Sequence, residues 1–129
     1  MAQQTESQLH EAVCNYIRLQ YPNVLFNSDM SGIKLTMGQA IKAKKLRSNS
    51  GFPDLIIYKS RLSCFNTAGL CVELKKDGTK IYKKNGDYAT DHIKKQNEIL
   101  LRLQKCSFEV HFAIGFSDAK RIIDNYLKL

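Results

Sequence analysis

The first twenty residues carry large and apolar side chains at helical spacing. They fall on one stripe of a helix, within about 100° of one another: Leu9, Val13, Tyr16, Ile17 and Gln20. This pattern predicts a helix over residues 5–20 that ends before Pro22.

The rest of the chain alternates between the helical and the strand period. Two further segments have helical spacing, residues 37–47 and 91–105. Three short apolar runs are typical of strands, residues 54–59, 69–75 and 108–116. Ser117 is the predicted N-cap of a final helix, and the Asn85-Gly86 pair predicts a small hairpin arm over 79–90. The order of elements predicts one α/β or α+β domain spanning 1–129, with a central mixed β-sheet flanked by helices.

Two basic clusters give the chain a strong positive charge. Its 129 residues contain 20 Lys and Arg against 12 Asp and Glu, a net charge of +8. The first cluster lies in an acid-free stretch and contains Lys42, Lys44, Lys45 and Arg47. The second consists of Lys75, Lys76, Lys80, Lys83 and Lys84, interrupted only by Asp77. Its last three lysines are candidates for DNA binding. Such an excess favours DNA or another polyanion as the partner, and the alternative is a solvated face that keeps the protein soluble.

The sequence has no feature of an exported or membrane protein. No apolar run approaches the roughly 20 residues of a membrane span, and the N-terminal residues do not form an export signal. The cysteines lack the close pairs of a zinc site: Cys14, Cys64, Cys71 and Cys106. We therefore predict a cytoplasmic protein with no membrane partner and with reduced, mostly buried thiols.

Two carboxylates stand where strands begin or end. Asp54 follows a Gly-Phe-Pro turn and opens the run 55–59, and Glu73 shares a strand face with Lys75. If the two strands pair as a meander, both carboxylates meet at one end of the sheet and form an oxygen site suited to Mg²⁺ or Mn²⁺. The alternatives are that Asp54 serves the turn and that Glu73 and Lys75 form an exposed ion pair.

Other polar side chains are candidates for the same site. Glu6 lies about 60° from Leu9 on the predicted helix, on its buried face, where an acid needs a partner. Stabilisation of the first helical turn is the alternative. Gln96 stands in a similar relation to the apolar stripe of its helix, and it either lines the site or brackets the core. His10, one turn from Glu6, is a further candidate that could contact phosphate, and a structural or solvated histidine is the alternative.

Two tyrosines flank the Asn-Gly turn of the arm. Tyr82 and Tyr88 alternate with basic residues there. This combination is suited to stacking on unpaired bases and holding phosphates. The alternative is that both rings pack the arm onto the domain.

Four of these motifs, in this order, resemble a known nuclease pattern. Glu6, GFPD at 51–54, ELK at 73–75 and Gln96 resemble the PD-(D/E)XK nuclease superfamily, and most closely its VRR-Nuc (virus-type replication and repair nuclease) family. The resemblance spans residues 6–127. The long segment 76–90 departs from the family's spacing.

The resemblance implies a restriction-endonuclease-like fold and cleavage of DNA with Mg²⁺ or Mn²⁺. By matching position, Asp54, Glu73, Glu6 and the backbone carbonyl of Leu74 would be metal ligands. Lys75 would be the catalytic lysine, and Gln96 would shape the site.

The resemblance also implies a biological role. We expect a homodimeric endonuclease of bacterial, phage or viral context that acts on branched DNA, of the Holliday-junction or flap type, in replication, recombination or repair. One alternative is a restriction- or repair-type nuclease on plain duplex or single strands. A second is a non-catalytic nucleic-acid-binding module.

Overall fold

The computed structural model describes residues 4–28, 35–61 and 66–128. In chain order the elements are α1 (Glu6–Gln20), β1 (Phe26–Ser28), α2 (Met37–Lys45), β2 (Leu55–Ile57), β3 (Gly69–Lys75), α3 (Asp91–Lys105), β4 (Phe108–Ile114) and α4 (Phe116–Lys128). Within these ranges, no helix has the length and apolar character needed to cross a membrane.

The strands form one mixed sheet in the order β1-β2-β3-β4. β1 pairs with β2 and β2 with β3 in antiparallel fashion, whereas β3 and β4 are parallel and joined through α3. Every residue of β3 is buried. The prediction of a central mixed sheet flanked by helices is therefore confirmed.

Helices cover both faces of the sheet. Leu70, Val72 and Leu74 of β3 belong to a core that they share with α1 and α4. Glu73 points to the opposite face, where it contacts Gln96 of α3, because side chains alternate along a strand. The alternation in β3 thus separates an apolar layer from a polar one.

Polar contacts fix α1 in place. Thr5 and Gln8 form a reciprocal capping box at its first turn. At its other end, the hydroxyls of Tyr16 and Tyr21 each donate to Oδ1 of Asp124 on α4, at 2.6 Å. α1 therefore has a defined position relative to the sheet, and with it Glu6 and His10.

Several element boundaries differ from the sequence prediction. β2 is limited to 55–57 rather than 54–59, α2 ends at Lys45 rather than 47, and β4 ends at Ile114 rather than 116. β1 has no counterpart among the predicted strands. Gln20, which the periodicity places on the buried stripe of α1, is exposed, since the buried part of this helix ends at Ile17.

The prediction of Ser117 as an N-cap is wrong. α4 already begins at Phe116, after Gly115 in a left-handed conformation with φ of 84°. The Gly115 N–H donates to the Lys75 carbonyl, and its own carbonyl accepts from Ala119. A side chain at Gly115 would clash with the Asp77 carboxylate, so a glycine turn starts this helix.

The arm, residues 79–90, is reduced to a minimal hairpin. A single antiparallel bridge pairs Tyr82 with Tyr88, and Gly86 has a φ of 91°. The arm closes as the Asn-Gly pair predicts.

The expectation of buried thiols holds only in part. Cys14 and Cys71 are buried, and burial raises the pKa of Cys71 to about 12. Cys106 is exposed, because it follows the last turn of α3 at the protein surface. Cys64 lies outside the described residues.

Candidate active site

Asp54 and Glu73 lie side by side at one end of the sheet. The β2–β3 register pairs Leu55 with Val72, so the next residues of the ladder are these two acids. Oδ2 of Asp54 accepts a hydrogen bond from the backbone N–H of Leu74 at 2.8 Å. Both acids are buried, with exposed fractions of 7% for Asp54 and 2% for Glu73.

Glu73 is held by one hydrogen bond and keeps one oxygen without a donor. Oε1 accepts from Nε2 of Gln96 at 2.6 Å and lies 3.9 Å from Nζ of Lys75. Oε2 is buried, and no hydrogen-bond donor from the described residues reaches it. Burial, and then the negative charge of Asp54, raises the pKa of Glu73 to about 10, although Lys75 acts in the opposite direction.

Lys75 is a buried lysine beside a buried acid. It is 7% exposed, and its neighbour Glu73 is within ion-pair distance. An ammonium group that is removed from water needs an anion. The alternative of an exposed ion pair is therefore excluded by the burial of both residues.

A cavity of about 220 Å³ opens onto these groups. Its walls include Asp54, Glu73, Lys75 and Gln96 from the sheet and α3. Glu6, Arg47 and His92 complete its rim. The sequence motifs Glu6, GFPD, ELK and Gln96 therefore meet at one place in the fold.

Glu6 reaches this cavity in a different way from the one predicted. Its side chain is exposed rather than on the buried face of α1, because burial on this helix begins only at Leu9. It lines the cavity from the solvent side and adds to the negative charge that raises the pKa of Glu73, as the least of the causes.

The oxygen atoms of the cavity fit a divalent cation that also takes ligands from water and substrate. Within the described ranges, no three His, Cys, Asp or Glu side chains are grouped closely enough to form a complete metal site. Mg²⁺, however, is commonly bound through one or two carboxylates, with water and phosphate oxygens completing its shell. Asp54 and the unpartnered Oε2 of Glu73 match that requirement. The Leu74 carbonyl as a further ligand stays a prediction.

His10 approaches the site through Asp54. Its Nε2 lies 3.5 Å from Oδ1 of Asp54, and its side chain is 12% exposed. That nitrogen has no properly aligned hydrogen bond with any described residue. His10 is therefore positioned beside the acid rather than on the open surface of the cavity.

The two basic clusters lie in different parts of the fold. α2 has no buried residue, and Lys42, Lys44 and Lys45 lie along it, away from the core. Arg47, just beyond α2, lines the cavity. Of the second cluster, Lys80, Lys83 and Lys84 lie on the arm, and all three are exposed.

His92 is a lining residue that the sequence pattern alone did not single out. It lies in the first turn of α3, four residues before Gln96. Residues four apart on a helix share a face, so the spacing from Gln96 could have predicted that His92 lies at the same site.

Comparison with solved structures shows a similarity that extends over the whole chain. Over 100% of its own length and 93% of the other chain, this chain is similar to a solved structure of a "VRR_NUC domain protein", with a TM-score of 0.70 and 26% sequence identity. No family model and no curated protein matches the chain.

Proposed function

Because this chain belongs to the VRR-Nuc family of PD-(D/E)XK nucleases, we propose that it hydrolyses phosphodiester bonds in DNA with the help of Mg²⁺ or Mn²⁺. The main support for this proposal is that two buried carboxylates and a buried lysine line the same cavity: Asp54, Glu73 and Lys75.

Asp54 and Glu73 are the groups that would hold the cation. Asp54 is oriented by the N–H of Leu74, and Glu73 by the amide of Gln96. Both are thus fixed before any ligand arrives, which reduces the cost of ordering them on binding. When bound, the cation would polarise the phosphodiester and lower the pKa of a water molecule.

Lys75 is the group that would serve the attacking water and the phosphate charge. Its ammonium lies beside Glu73 and lines the cavity, so it can stabilise the negative charge that develops on the phosphate. Glu6, at the rim, would be an additional ligand acting through water. Arg47, also at the rim, would contact a phosphate.

The preferred substrate within this function is branched or otherwise structured DNA, cleaved by a homodimer in replication, recombination or repair. Separate basic clusters on α2 and the arm support contacts with more than one DNA segment. Cleavage of plain duplex or single strands is the alternative substrate preference. A non-catalytic DNA-binding module is the alternative function.

The test compares wild type with Lys75→Ala on labelled duplex, flap and four-way-junction DNA, with Mg²⁺ or Mn²⁺. We expect single-turnover cleavage to fall by roughly 10²–10⁴-fold in the variant, as for the loss of a positioned proton-transfer or electrostatic group. Lys76→Ala is the matched control, because Lys76 is the next residue and is exposed. DNA affinity in Ca²⁺ should change little in either variant.

The competing outcomes are distinct. Equal cleavage rates for wild type and Lys75→Ala would remove Lys75 from the reaction. Absence of cleavage by wild type on every DNA form with either metal, together with intact DNA binding, would favour the binding module.

A further inference from the structure

The arm, residues 79–90, presents one tyrosine to solvent and holds a second behind it. Tyr82 is 56% exposed, whereas Tyr88 is half-buried. Their ring centroids are 5.2 Å apart, with 32° between the ring planes. Of the two roles considered for the tyrosines, packing of the arm onto the domain fits Tyr88. Stacking on a base fits Tyr82, whose ring is exposed to solvent.

Backbone hydrogen bonds hold this pair of rings in place. The Lys83 N–H donates to the Asp87 carbonyl at 2.7 Å, and the Ala89 N–H donates to the Ile81 carbonyl at 2.8 Å. Both bonds join the two sides of the hairpin across the turn that contains Gly86. The exposed ring of Tyr82 is therefore held by a hydrogen-bonded turn and by contact with the Tyr88 ring. Stacking of a base on it then costs little conformational entropy of the protein.

Basic side chains accompany the exposed ring. Lys83 and Lys84 are exposed and directly follow Tyr82, and Lys80 precedes it by two residues. The arm's own acid, Asp87, accepts a hydrogen bond from the Asn85 side chain within the turn. An exposed aromatic ring among lysines is the combination that binds single-stranded nucleic acid, through base stacking and phosphate contacts.

The arm is also anchored next to the candidate active site. Nδ2 of Asn97 on α3 donates a hydrogen bond to the Tyr88 hydroxyl. Asn97 directly follows Gln96, which donates to Glu73, and His92 of the same helix lines the cavity. The arm is therefore anchored to the same helix that supplies Gln96 and His92 to the cavity.

We propose that Tyr82 stacks on an unpaired base of the substrate while Lys83 and Lys84 contact the adjoining phosphates. The substrate class is then DNA in which a single-stranded segment adjoins the cleaved position. This inference rests on the proposed nuclease function for its biological meaning, but binding tests it independently of cleavage.

The experiment measures fluorescence anisotropy in EDTA, where cleavage is suppressed. The probes are a labelled blunt duplex and the same duplex with a single-stranded thymidine tail. Wild type should bind the tailed probe more tightly, and Tyr82→Ala should weaken that binding by roughly 5- to 100-fold, as for the removal of one base–aromatic stack. Affinity for the blunt duplex should stay unchanged.

Two tyrosine variants act as controls. Tyr82→Phe keeps the ring and should retain the affinity for the tail. Tyr58→Ala removes a tyrosine of similar exposure, 50%, at the end of β2 opposite to Asp54, and should have no effect. In the double variant Lys83→Ala/Lys84→Ala, the slope of log affinity against log salt should fall by about 0.7 for each single-strand phosphate that is no longer neutralised.

The results separate the two proposals. Equal affinity of wild type and Tyr82→Ala for the tailed probe, or an equal loss in Tyr58→Ala, overturns the role of the arm. A wild type that cleaves DNA without any preference for the tail also overturns it, while the nuclease function stands. Tail-dependent binding that requires Tyr82, without cleavage under any metal, supports the arm and contradicts the nuclease.

Discussion

Glu73→Gln should stabilise the metal-free protein, and the gain should grow as pH rises. The raised pKa of Glu73, about 10 against an ordinary 4.5, means that folding takes up a proton at neutral pH. A carboxyl whose pKa is raised by folding stabilises the native state fully below the unfolded pKa, and this contribution is lost as pH rises toward the folded pKa.

The magnitude follows from one proton taken up on folding. Between the two pKa values of Glu73, the free energy of unfolding of wild type should fall by about 1.4 kcal/mol per pH unit from this group alone. Glutamine takes up no proton and still accepts the hydrogen bond from Gln96. The stability difference between Glu73→Gln and wild type should therefore grow by at most about 2.7 kcal/mol from pH 6 to pH 8.

Urea denaturation in EDTA at pH 6, 7 and 8 gives this difference directly. Glu98→Gln is the matched control for the change from carboxylate to amide, since Glu98 is an exposed acid of α3. A constant difference for Glu73→Gln across the three pH values would refute the inference that Glu73 is protonated in the metal-free fold.

Two further variants test the cation site and the basic helix. In Asp54→Asn, Mn²⁺ binding measured by calorimetry should disappear while the melting temperature stays equal or rises slightly, because the negative charge that opposes ionisation of Glu73 is removed. An unaltered isotherm would exclude Asp54 as a ligand. Replacement of Lys42, Lys44 and Lys45 by Ala should weaken DNA binding and reduce its salt slope by about 0.9 for each duplex phosphate that is no longer neutralised. Cleavage at saturating protein should persist, and an unchanged slope would identify α2 as a merely solvated surface.

The sequence predicts the elements whose boundaries are set by local chemistry. β3 and α3 have the predicted limits, 69–75 and 91–105. Each has strong periodicity and, in α3, the Thr90 cap. β1 escapes such a prediction because three residues carry no periodic signal, and only its pairing with β2 makes it a strand.

The same distinction applies to the candidate site. Side-chain alternation and a two-strand meander are enough to bring Asp54 and Glu73 together. The contact between His10 and Asp54 and the place of Arg47 on the cavity rim depend on how α1 and the loop after α2 lie against the sheet. These positions are set by tertiary packing, so no local sequence pattern predicts them.

The hydrogen bond from the Leu74 N–H to Asp54 affects how related sequences should be interpreted. β2 begins at Leu55, so this carboxylate takes the place of a backbone acceptor at the end of the ladder. A descendant that had lost catalysis would still gain stability from a side-chain hydrogen-bond acceptor at this position. Lys75 is buried beside Glu73, and desolvation of its charge destabilises the fold. Stability alone therefore does not favour a lysine at this position. The lysine, rather than the aspartate, is therefore the residue whose loss would distinguish an inactive homologue from an active enzyme.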